Sequence, residues 1–210
     1  MLVSGSFLSN EISPSVAIKS LDKIGIDYLH VDVMDGKFVS QKGLTIKEVI
    51  DLSKYTTKKL DIHLMVKNPI KYIEEFSLLN IEYITFHYEA VKNHIEIINL
   101  IKNYGIKVGI AIKPSTSVND IGSLLELVDL VLVMSVEPGK SGQKFIESVV
   151  YKMNVLKRLK DEKNYKYIIN VDGGINEETF EKVKPYVDMV VSASYLLSGN
   201  GIEKVKRFKM

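Results

Sequence analysis

One stretch decides the fold: His30-Val31-Asp32-Val33-Met34-Asp35-Gly36, the end of an apolar run. In an extended strand, residues two apart point to the same face, so the imidazole and the first carboxylate converge. Asp35-Gly36 then turns the chain. A histidine and a carboxylate that converge at a strand end can hold a metal ion, and the carboxylate can also move a proton. The same pattern would equally suit a buried strand in which the two side chains satisfy each other.

Short β-rich runs alternate with longer helix-patterned runs along the whole chain, an order that predicts a parallel sheet. Most of the strands are apolar on both faces, as a sheet covered by helices requires. Eight repeats favour a closed (β/α)₈ TIM barrel, and the absence of G-x-G-x-x-G after the first strand counts against a dinucleotide-binding sheet. The predicted strands are residues 2–5, 27–33, 59–65, 83–87, 107–112, 130–135, 167–172 and 189–192. The predicted helices are residues 15–24, 45–53, 69–78, 92–104, 118–127, 143–160 and 177–183, with a C-terminus that looks short for an eighth helix.

Composition excludes several classes of function. The 210 residues are 46% hydrophobic and 26% charged, with a net charge of +2 and lysines spread along the chain. This distribution lacks the basic patch of a nucleic-acid-binding protein, and no apolar run is long enough to span a membrane. The absence of cysteine excludes disulfides, thiolate ligands and cysteine nucleophiles. With no linker in the sequence, we expect a single TIM-barrel domain over residues 1–210, in a cytoplasmic protein without nucleic-acid or membrane partners.

In such a barrel, catalytic groups lie at the C-terminal ends of the strands. The second predicted strand ends with His30 and Asp32, the third with His63, and the seventh with Asp172 just before two glycines. Two imidazoles and two carboxylates form a plausible ligand set for a divalent metal ion such as zinc, iron or manganese. We therefore predict a metal site from His30, Asp32, His63 and Asp172.

Other side chains lie around this predicted site. His87 also ends a strand, and we interpret it as a satisfied residue of the barrel wall rather than a fifth ligand. His94 falls in a helix-patterned stretch and is expected to face solvent. Met34, Met65 and Met134 adjoin the site, where they can fill the core, form an apolar lid that lowers the dielectric around a reacting carbon, or do both.

Three turns rich in small residues follow the last three strands. These are Gly139-Lys140-Ser141-Gly142, Gly173-Gly174 and Ala193-Ser194. In (β/α)₈ enzymes the loops after the last two strands frequently hold a phosphate through backbone N–H groups and a helix N-terminus. Any barrel also needs tight turns, but three of them on adjacent strands favour a phosphate site. The first turn is not a Walker loop, because the required G-x-x-x-x-G-K-[ST] is absent.

Together these segments resemble the ribulose-phosphate 3-epimerase family over nearly the full chain. Each motif is modest by itself, but the complete set in one order at the strand ends is highly specific. The matching segments are Ser6 with Leu8-Ser9, His30 to Gly36 with Phe38-Val39, His63-Leu64-Met65-Val66, Thr85-Phe86-His87 with Glu89-Ala90, Met134-Ser135-Val136 with Pro138-Gly139, Gly142-Gln143 with Phe145-Ile146, and Val171-Asp172-Gly173-Gly174.

The resemblance implies a function and a role for each matching residue. The four predicted ligands would bind one divalent metal ion (Zn, Fe, Mn or Co), and Asp32 and Asp172 would also be the two acid/base groups. The reaction implied is epimerisation of D-ribulose 5-phosphate to D-xylulose 5-phosphate through an enediolate, and we expect a homo-oligomer whose partner is this small sugar phosphate. The substrate-binding candidates are Ser6, His30, His63, Met34, Met65 and Met134. The phosphate-binding candidates are Gly139, Lys140, Ser141, Gly142, Gly173, Gly174, Ala193 and Ser194.

Three alternatives stay open at the level of sequence. An epimerase acting on D-allulose 6-phosphate would share the metal site and differ in pocket length. A phosphate-barrel lyase would carry Asp-x-Lys-x-x-Asp at the third strand, where this chain has Asp61-Ile62-His63. A non-catalytic barrel that binds sugar phosphates would not need both Asp32 and Asp172. The chain departs from the family pattern at several positions, most of them in loops, and these departures bear on the substrate more than on the reaction. They are Gly5, Lys37, Ser40-Gln41, Lys140-Ser141 and Ala193.

Overall fold

Eight parallel strands close into a barrel in chain order, and this confirms the predicted (β/α)₈ fold. The computed structural model describes residues 1–7, 12–140 and 142–210, so Leu8, Ser9 and Ser141 lie outside the described residues. Each strand pairs with the next, and the last strand pairs with the first. The strands are β1 Leu2–Ser6, β2 Tyr28–Met34, β3 Lys59–Met65, β4 Ile81–His87, β5 Lys107–Ile112, β6 Leu130–Met134, β7 Ile168–Asp172 and β8 Met189–Ser192.

Helices cover the outside of the barrel. Within the described residues, no helix is long and apolar enough to cross a membrane. The α-helices are α1 Pro14–Lys23, α2 Ile46–Ser53, α3 Ile70–Phe76, α4 His94–Asn103, α5 Val150–Lys163, α6 Glu177–Val183, α7 Ser194–Leu197 and α8 Gly201–Lys209. Short 3₁₀ helices occupy Tyr88–Ala90, Val118–Leu124 and Glu147–Val149.

Two predicted helices differ from the structure for local reasons. The segment predicted as an α-helix over 118–127 is a 3₁₀ helix, in which Val118, Ile121 and Leu124 are buried at a spacing of three residues. This spacing matches the three residues per turn of a 3₁₀ helix. The helix predicted from 143 begins only at Val150, because the Gln143 side chain instead donates to the carbonyls of the preceding loop.

The barrel separates two apolar cores. One core lies between the strands and the helices, and the other fills the barrel interior with Tyr83, Ala111, Leu130, Leu132 and Met189. These interior side chains come from alternate strand positions, which point inward. Inward-facing imidazoles and carboxylates gather above this packed interior, at the C-terminal ends of the strands, an end of the barrel that we call the mouth.

The opposite end of the barrel, at the N-terminal ends of the strands, is called here the floor. Three aspartates just before even-numbered strands each accept the backbone N–H of a residue in the preceding strand, at 2.8 Å. These bonds join strands in pairs and satisfy buried N–H groups that would otherwise lack an acceptor. The pairs are Asp27 with Val3, Asp129 with Val108 and Asp188 with Ile169.

Candidate active site

The pairing of β2 with β3 places polar side chains in layers along the barrel axis. His30 lies opposite Asp61, and Asp32 lies opposite His63. The next inward pair toward the mouth is Met34 with Met65. The alternation of side chains along a strand thus produces two polar layers, with one layer of methionine side chains nearer the mouth.

Four polar side chains converge in these layers at the mouth. One ligand atom from each of His30, Asp32, His63 and Asp172 lies within 4.8 Å of the others. His30 Nε2 is 3.2 Å from Asp32 Oδ1 and 3.8 Å from Asp172 Oδ2. His63 Nδ1 is 2.9 Å and 3.8 Å from the same two oxygens. Both imidazoles are fully buried, so each ring presents one nitrogen to the two carboxylates and the other nitrogen to the protein.

The other nitrogen of His30 contacts a buried carboxylate. His30 Nδ1 lies 2.7 Å from Asp61 Oδ2, which also accepts a hydrogen bond from Ser4 Oγ at 2.8 Å. Because an ionised carboxylate only accepts hydrogen bonds, Nδ1 carries a proton and donates it. Nε2 faces Asp32 and Asp172: in the protonated ring it donates a hydrogen bond to Asp32, and in the neutral ring its lone pair is available to a metal ion.

The other nitrogen of His63 contacts a third histidine. His63 Nε2 lies 2.9 Å from His87 Nε2, and His87 Nδ1 lies 3.1 Å from Glu89 Oε2. Burial lowers the pKa of His87 to about 4, although Glu89 opposes the shift. Burial by itself raises the pKa of Glu89, but hydrogen bonds from His87, Lys113 and Thr116 lower it to about 2. His87 is thus a neutral residue of the barrel wall, joined to an ionised carboxylate.

The two carboxylates at the centre have different proton affinities. Burial raises the pKa of Asp172, and repulsion from Asp32 raises it further. Burial opposes ionisation of Asp32 as well, but the charge and hydrogen bonds of His30 and His63 outweigh it and lower its pKa. Burial lowers the pKa of His30, whereas Asp32 and Asp61 raise it well above the ordinary value. Asp32 is therefore the more readily ionised of the two carboxylates, and Asp172, whose pKa is raised to about 6, is the more readily protonated one.

The donor set fits a divalent metal ion. Within residues 1–7, 12–140 and 142–210, the ion-pair partners of Asp32 and Asp172 are histidines, and neither carboxylate pairs with a lysine or an arginine. Metals such as zinc bind imidazole nitrogen and carboxylate oxygen at about 2.0–2.2 Å. The four ligand atoms are close enough to surround one such ion after small side-chain adjustments, and its charge would balance theirs.

The predicted substrate-side residues border this cluster. Ser6 is buried at the end of β1 and lies opposite His30 in the register between β1 and β2. Met134 is buried on β6 and lies opposite Asp172 in the register between β6 and β7. Met65 is buried on β3, one layer nearer the mouth than His63. The structure thus brings an apolar rim and one hydroxyl next to the candidate ligands.

The turns after β6 and β7 contact each other. A Cβ on Gly173 would lie 2.5 Å from a Val136 methyl group, and one on Gly174 would lie 3.1 Å from the Phe145 backbone nitrogen. Both glycines also have positive φ angles, of 120° and 64°. Only glycine satisfies such a turn, because a side chain would clash and L-residues disfavour that φ.

The remaining phosphate-side candidates occupy the same end of the barrel. Gly139 and Gly142 have positive φ angles, of 100° and 73°. Lys140 is exposed, and its carbonyl accepts a hydrogen bond from the Gln143 side chain. Ala193 precedes the short helix α7, which begins at Ser194. The β6 loop does not open the longest helix, contrary to the sequence-based expectation, because α5 begins only at Val150.

Sequence reasoning left Asp61 and Glu89 without a role. A signal was available, because each lies two residues from a histidine at a strand end, as Asp61-x-His63 and His87-x-Glu89.

The prediction of a solvent-facing His94 was wrong. Its ring is half-buried, stacks on Tyr88 with centroids 4.4 Å apart, and contacts the Tyr88 carbonyl through Nε2 at 2.9 Å.

The chain matches known proteins over most of its length. A family model described as the ribulose-phosphate 3 epimerase family matches residues 2–197. The chain is 42% identical over 187 residues to a ribulose-phosphate 3-epimerase of Methanocaldococcus jannaschii, covering 89% of this chain and 79% of that protein. It is 39% identical over 186 residues to a ribulose-phosphate 3-epimerase of Bacillus subtilis, covering 88% and 83%. A tryptophan synthase structure from Mycobacterium tuberculosis superposes with a TM-score of 0.67 at 11% identity, covering 99% and 89%, and shows a shared fold alone.

Proposed function

Because the chain belongs to the ribulose-phosphate 3-epimerase family and is an isomerase, we propose that it interconverts D-ribulose 5-phosphate and D-xylulose 5-phosphate. The observation that carries this proposal is the convergence of Asp32 and Asp172 at the mouth, with pKa shifts in opposite directions. A sugar-phosphate-binding barrel without catalysis has no need of two such carboxylates.

Two carboxylates suit the chemistry of epimerisation next to a ketone. The reaction removes a proton from carbon 3 on one face and returns a proton on the other face, so a group is needed on each side. Asp32 and Asp172 lie on β2 and β7, which are separated in the closed barrel by β1 and β8. We assign the ionised Asp32 as the base and the protonated Asp172 as the acid in one direction, with the roles exchanged in the other.

His30, Asp32, His63 and Asp172 would hold one divalent metal ion (Zn, Fe, Mn or Co). When bound, this ion supplies positive charge that stabilises the negative oxygens of the enediolate. His30 and His63 would each bind this ion as a neutral imidazole, through the ring nitrogen that faces the carboxylates. Met34, Met65 and Met134 would exclude water from the reacting carbon, which strengthens the electrostatic interactions there.

The remote end of the substrate carries the phosphate. We assign its binding to backbone N–H groups of the glycine turns after β6 and β7 and of the segment Ala193-Ser194. The exposed Lys140 would add a cation beside them. Holding the phosphate there would orient carbon 3 between Asp32 and Asp172, so that binding energy at one end serves the reaction at the other.

The test is an NMR assay of zinc-loaded protein with D-ribulose 5-phosphate in D₂O. We expect deuterium to enter carbon 3 while D-xylulose 5-phosphate forms. The same measurement with D-allulose 6-phosphate tests the pocket length, and turnover of that substrate alone would replace the pentose assignment. No exchange with either substrate, from protein that binds zinc, would contradict catalysis and leave a sugar-phosphate-binding barrel.

A further inference from the structure

A chain of hydrogen bonds runs outward from His63 and is not needed by the acid/base chemistry. It passes from His63 Nε2 to His87 Nε2 at 2.9 Å and from His87 Nδ1 to Glu89 Oε2 at 3.1 Å. Both imidazoles are completely buried. A contact between two imidazole nitrogens requires that one ring donates and the other accepts, so the two rings must hold complementary tautomers.

The carboxylate at the end of this chain determines which tautomers form. An ionised Glu89 can only accept, so His87 carries its proton on Nδ1 and donates it to Glu89. His87 Nε2 is then an acceptor, and His63 must carry its proton on Nε2. With Nε2 protonated, a neutral His63 has no proton on Nδ1, the nitrogen that faces Asp32 and Asp172. A proton on Nδ1 would instead be donated to Asp32, 2.9 Å away, and would block this nitrogen as a metal ligand.

We propose that Glu89, acting through His87, fixes the proton of His63 on Nε2 and so keeps Nδ1 available as a metal ligand. The two residues are positioning residues, since neither faces the reacting atoms. This inference rests on the metal site of the proposed function. Outer partners of metal-bound histidines commonly orient the ring in this way, although a direct carboxylate, as Asp61 is for His30, is the simpler arrangement.

Glu89 is itself held from several sides. Its second oxygen, Oε1, accepts the Lys113 backbone N–H at 2.8 Å and also a hydrogen bond from the Thr116 hydroxyl. The Lys152 ammonium donates to the carbonyls of Lys113, Pro114 and Thr116, which fixes the loop that supplies these donors. The carboxylate therefore cannot rotate freely, and only Oε2 is turned toward His87.

The His87 ring is also confined. The Phe38 ring packs against it with centroids 4.8 Å apart, and the His63 ring lies 5.0 Å away by the same measure. A buried ring between two aromatic neighbours keeps its orientation, so its tautomer is set by the group at Nδ1 rather than by rotation. The hydrogen-bonded series from Glu89 through His87 to His63 therefore has a fixed geometry, in which the proton position on His87 determines the proton position on His63.

The direct test reads the tautomers in the wild-type protein. The chain has only four histidines, so ¹⁵N-histidine labelling and long-range ¹H–¹⁵N correlation of the zinc-loaded protein resolve each ring. We expect the Nε2–H tautomer for His63 and the Nδ1–H tautomer for His87, with a scalar coupling between the two Nε2 nuclei across the hydrogen bond. A proton on Nε2 of His87 overturns the proposal, and this measurement requires no variant to fold.

The variant Glu89→Gln makes the second test. Its amide oxygen would stay with the Lys113 N–H, so its NH₂ group would replace Oε2 and donate to His87 Nδ1. Both tautomers should then reverse, and zinc affinity, measured by competition with a chelator, should fall about 10–100-fold. The matched control is Glu82→Gln, which removes a carboxylate from the floor end of β4, the strand that ends at His87, where Glu82 pairs with Lys59 and Lys107.

The outcomes separate this inference from the proposed function. Reversed tautomers with weakened zinc binding in Glu89→Gln, and neither change in Glu82→Gln, support the role of Glu89. Unchanged tautomers or unchanged affinity in a folded Glu89→Gln protein would overturn that role while the epimerase assignment stands. Failure of the wild-type protein to bind zinc or another divalent ion would overturn both the inference and the metal site.

Discussion

The two ends of the barrel hold their carboxylates in opposite ways. At the floor, Asp27, Asp129 and Asp188 each accept a backbone N–H at 2.8 Å. At the mouth, Asp32 and Asp172 face histidines and each other, and in the part of the chain that the structure describes neither is paired with a lysine or an arginine. The floor uses its charges to hold strands together, whereas the mouth sets its carboxylates against histidines and, in the described residues, offers them no lysine or arginine.

This difference shows that the energetically unfavourable arrangement of carboxylates lies at the mouth. Two of the three floor aspartates have a lysine partner: Lys209 lies 2.7 Å from Asp27, and Lys160 lies 2.7 Å from Asp188. Burying two carboxylates together without such partners is unfavourable for the folded state. A cluster that lowers stability in the metal-free protein is consistent with selection for binding and catalysis rather than for folding.

The largest expected effect comes from the mouth. Asp172→Asn keeps the size of the side chain but removes the proton transfer, so turnover should fall by about 10²–10⁴-fold. The metal-free variant should be at least as stable as wild type. Burial and Asp32 raise the pKa of Asp172 in the folded state, so its ionised form opposes folding above the unfolded-state pKa. Steady-state kinetics and urea denaturation of the metal-free protein measure the two effects.

The same substitution at the floor is the control for that experiment. Asp129→Asn retains an oxygen that can accept the Val108 N–H, and Asp129 lies at the opposite end of the barrel from the candidate ligands. We expect its turnover to equal that of wild type. Equal losses of turnover in the two variants would mean that the contrast between mouth and floor does not separate catalysis from stability.

The second prediction concerns the pH dependence of metal binding at the mouth. Burial lowers the pKa of His30, but Asp32 and Asp61 outweigh it and raise this pKa well above the ordinary value. Metal binding needs a neutral imidazole, so below that pKa it must displace a proton. Apparent affinity should therefore rise with pH by about tenfold per unit for each proton displaced, and Asp172, whose pKa is also raised, can contribute a second proton. Zinc competition titrations across the neutral range measure this slope, and a flat profile would contradict the assignment of His30 as a ligand.

Sequence alone predicted the strands well because each strand is a short apolar run bounded by turns. Three strands, Lys59–Met65, Lys107–Ile112 and Met189–Ser192, match their predicted bounds. Helix type and helix start were harder, because they depend on competing local contacts. The Gln143 side chain closes a loop instead of beginning a helix, and Val118–Leu124 follows a spacing of three.

The candidate ligands could be predicted because strand alternation and the C-terminal strand ends are readable from sequence. The outer partners could not be assigned in the same way. Whether Asp61 meets His30 rather than His63 depends on the register between β2 and β3 and on ring orientation. The contact of His87 with His63 likewise depends on β4 lying next to β3 with both side chains inward. Such contacts between strands follow from packing, which the spacing of residues within one strand does not determine.

The smallest expected effect comes from the floor and sharpens the contrast. Asp129→Ala removes the acceptor of the Val108 N–H, and Val108 is fully buried between β4 and β6. A buried N–H without a partner lowers stability by about 1–3 kcal/mol, so the free energy of unfolding in urea should fall by that amount. The ratio kcat/KM should stay at the wild-type value, because the aspartate acts on the barrel and not on the substrate. A loss of activity in the folded variant without a loss of stability would show that floor and mouth are coupled, and the carboxylates at the two ends could then no longer be assigned separate roles.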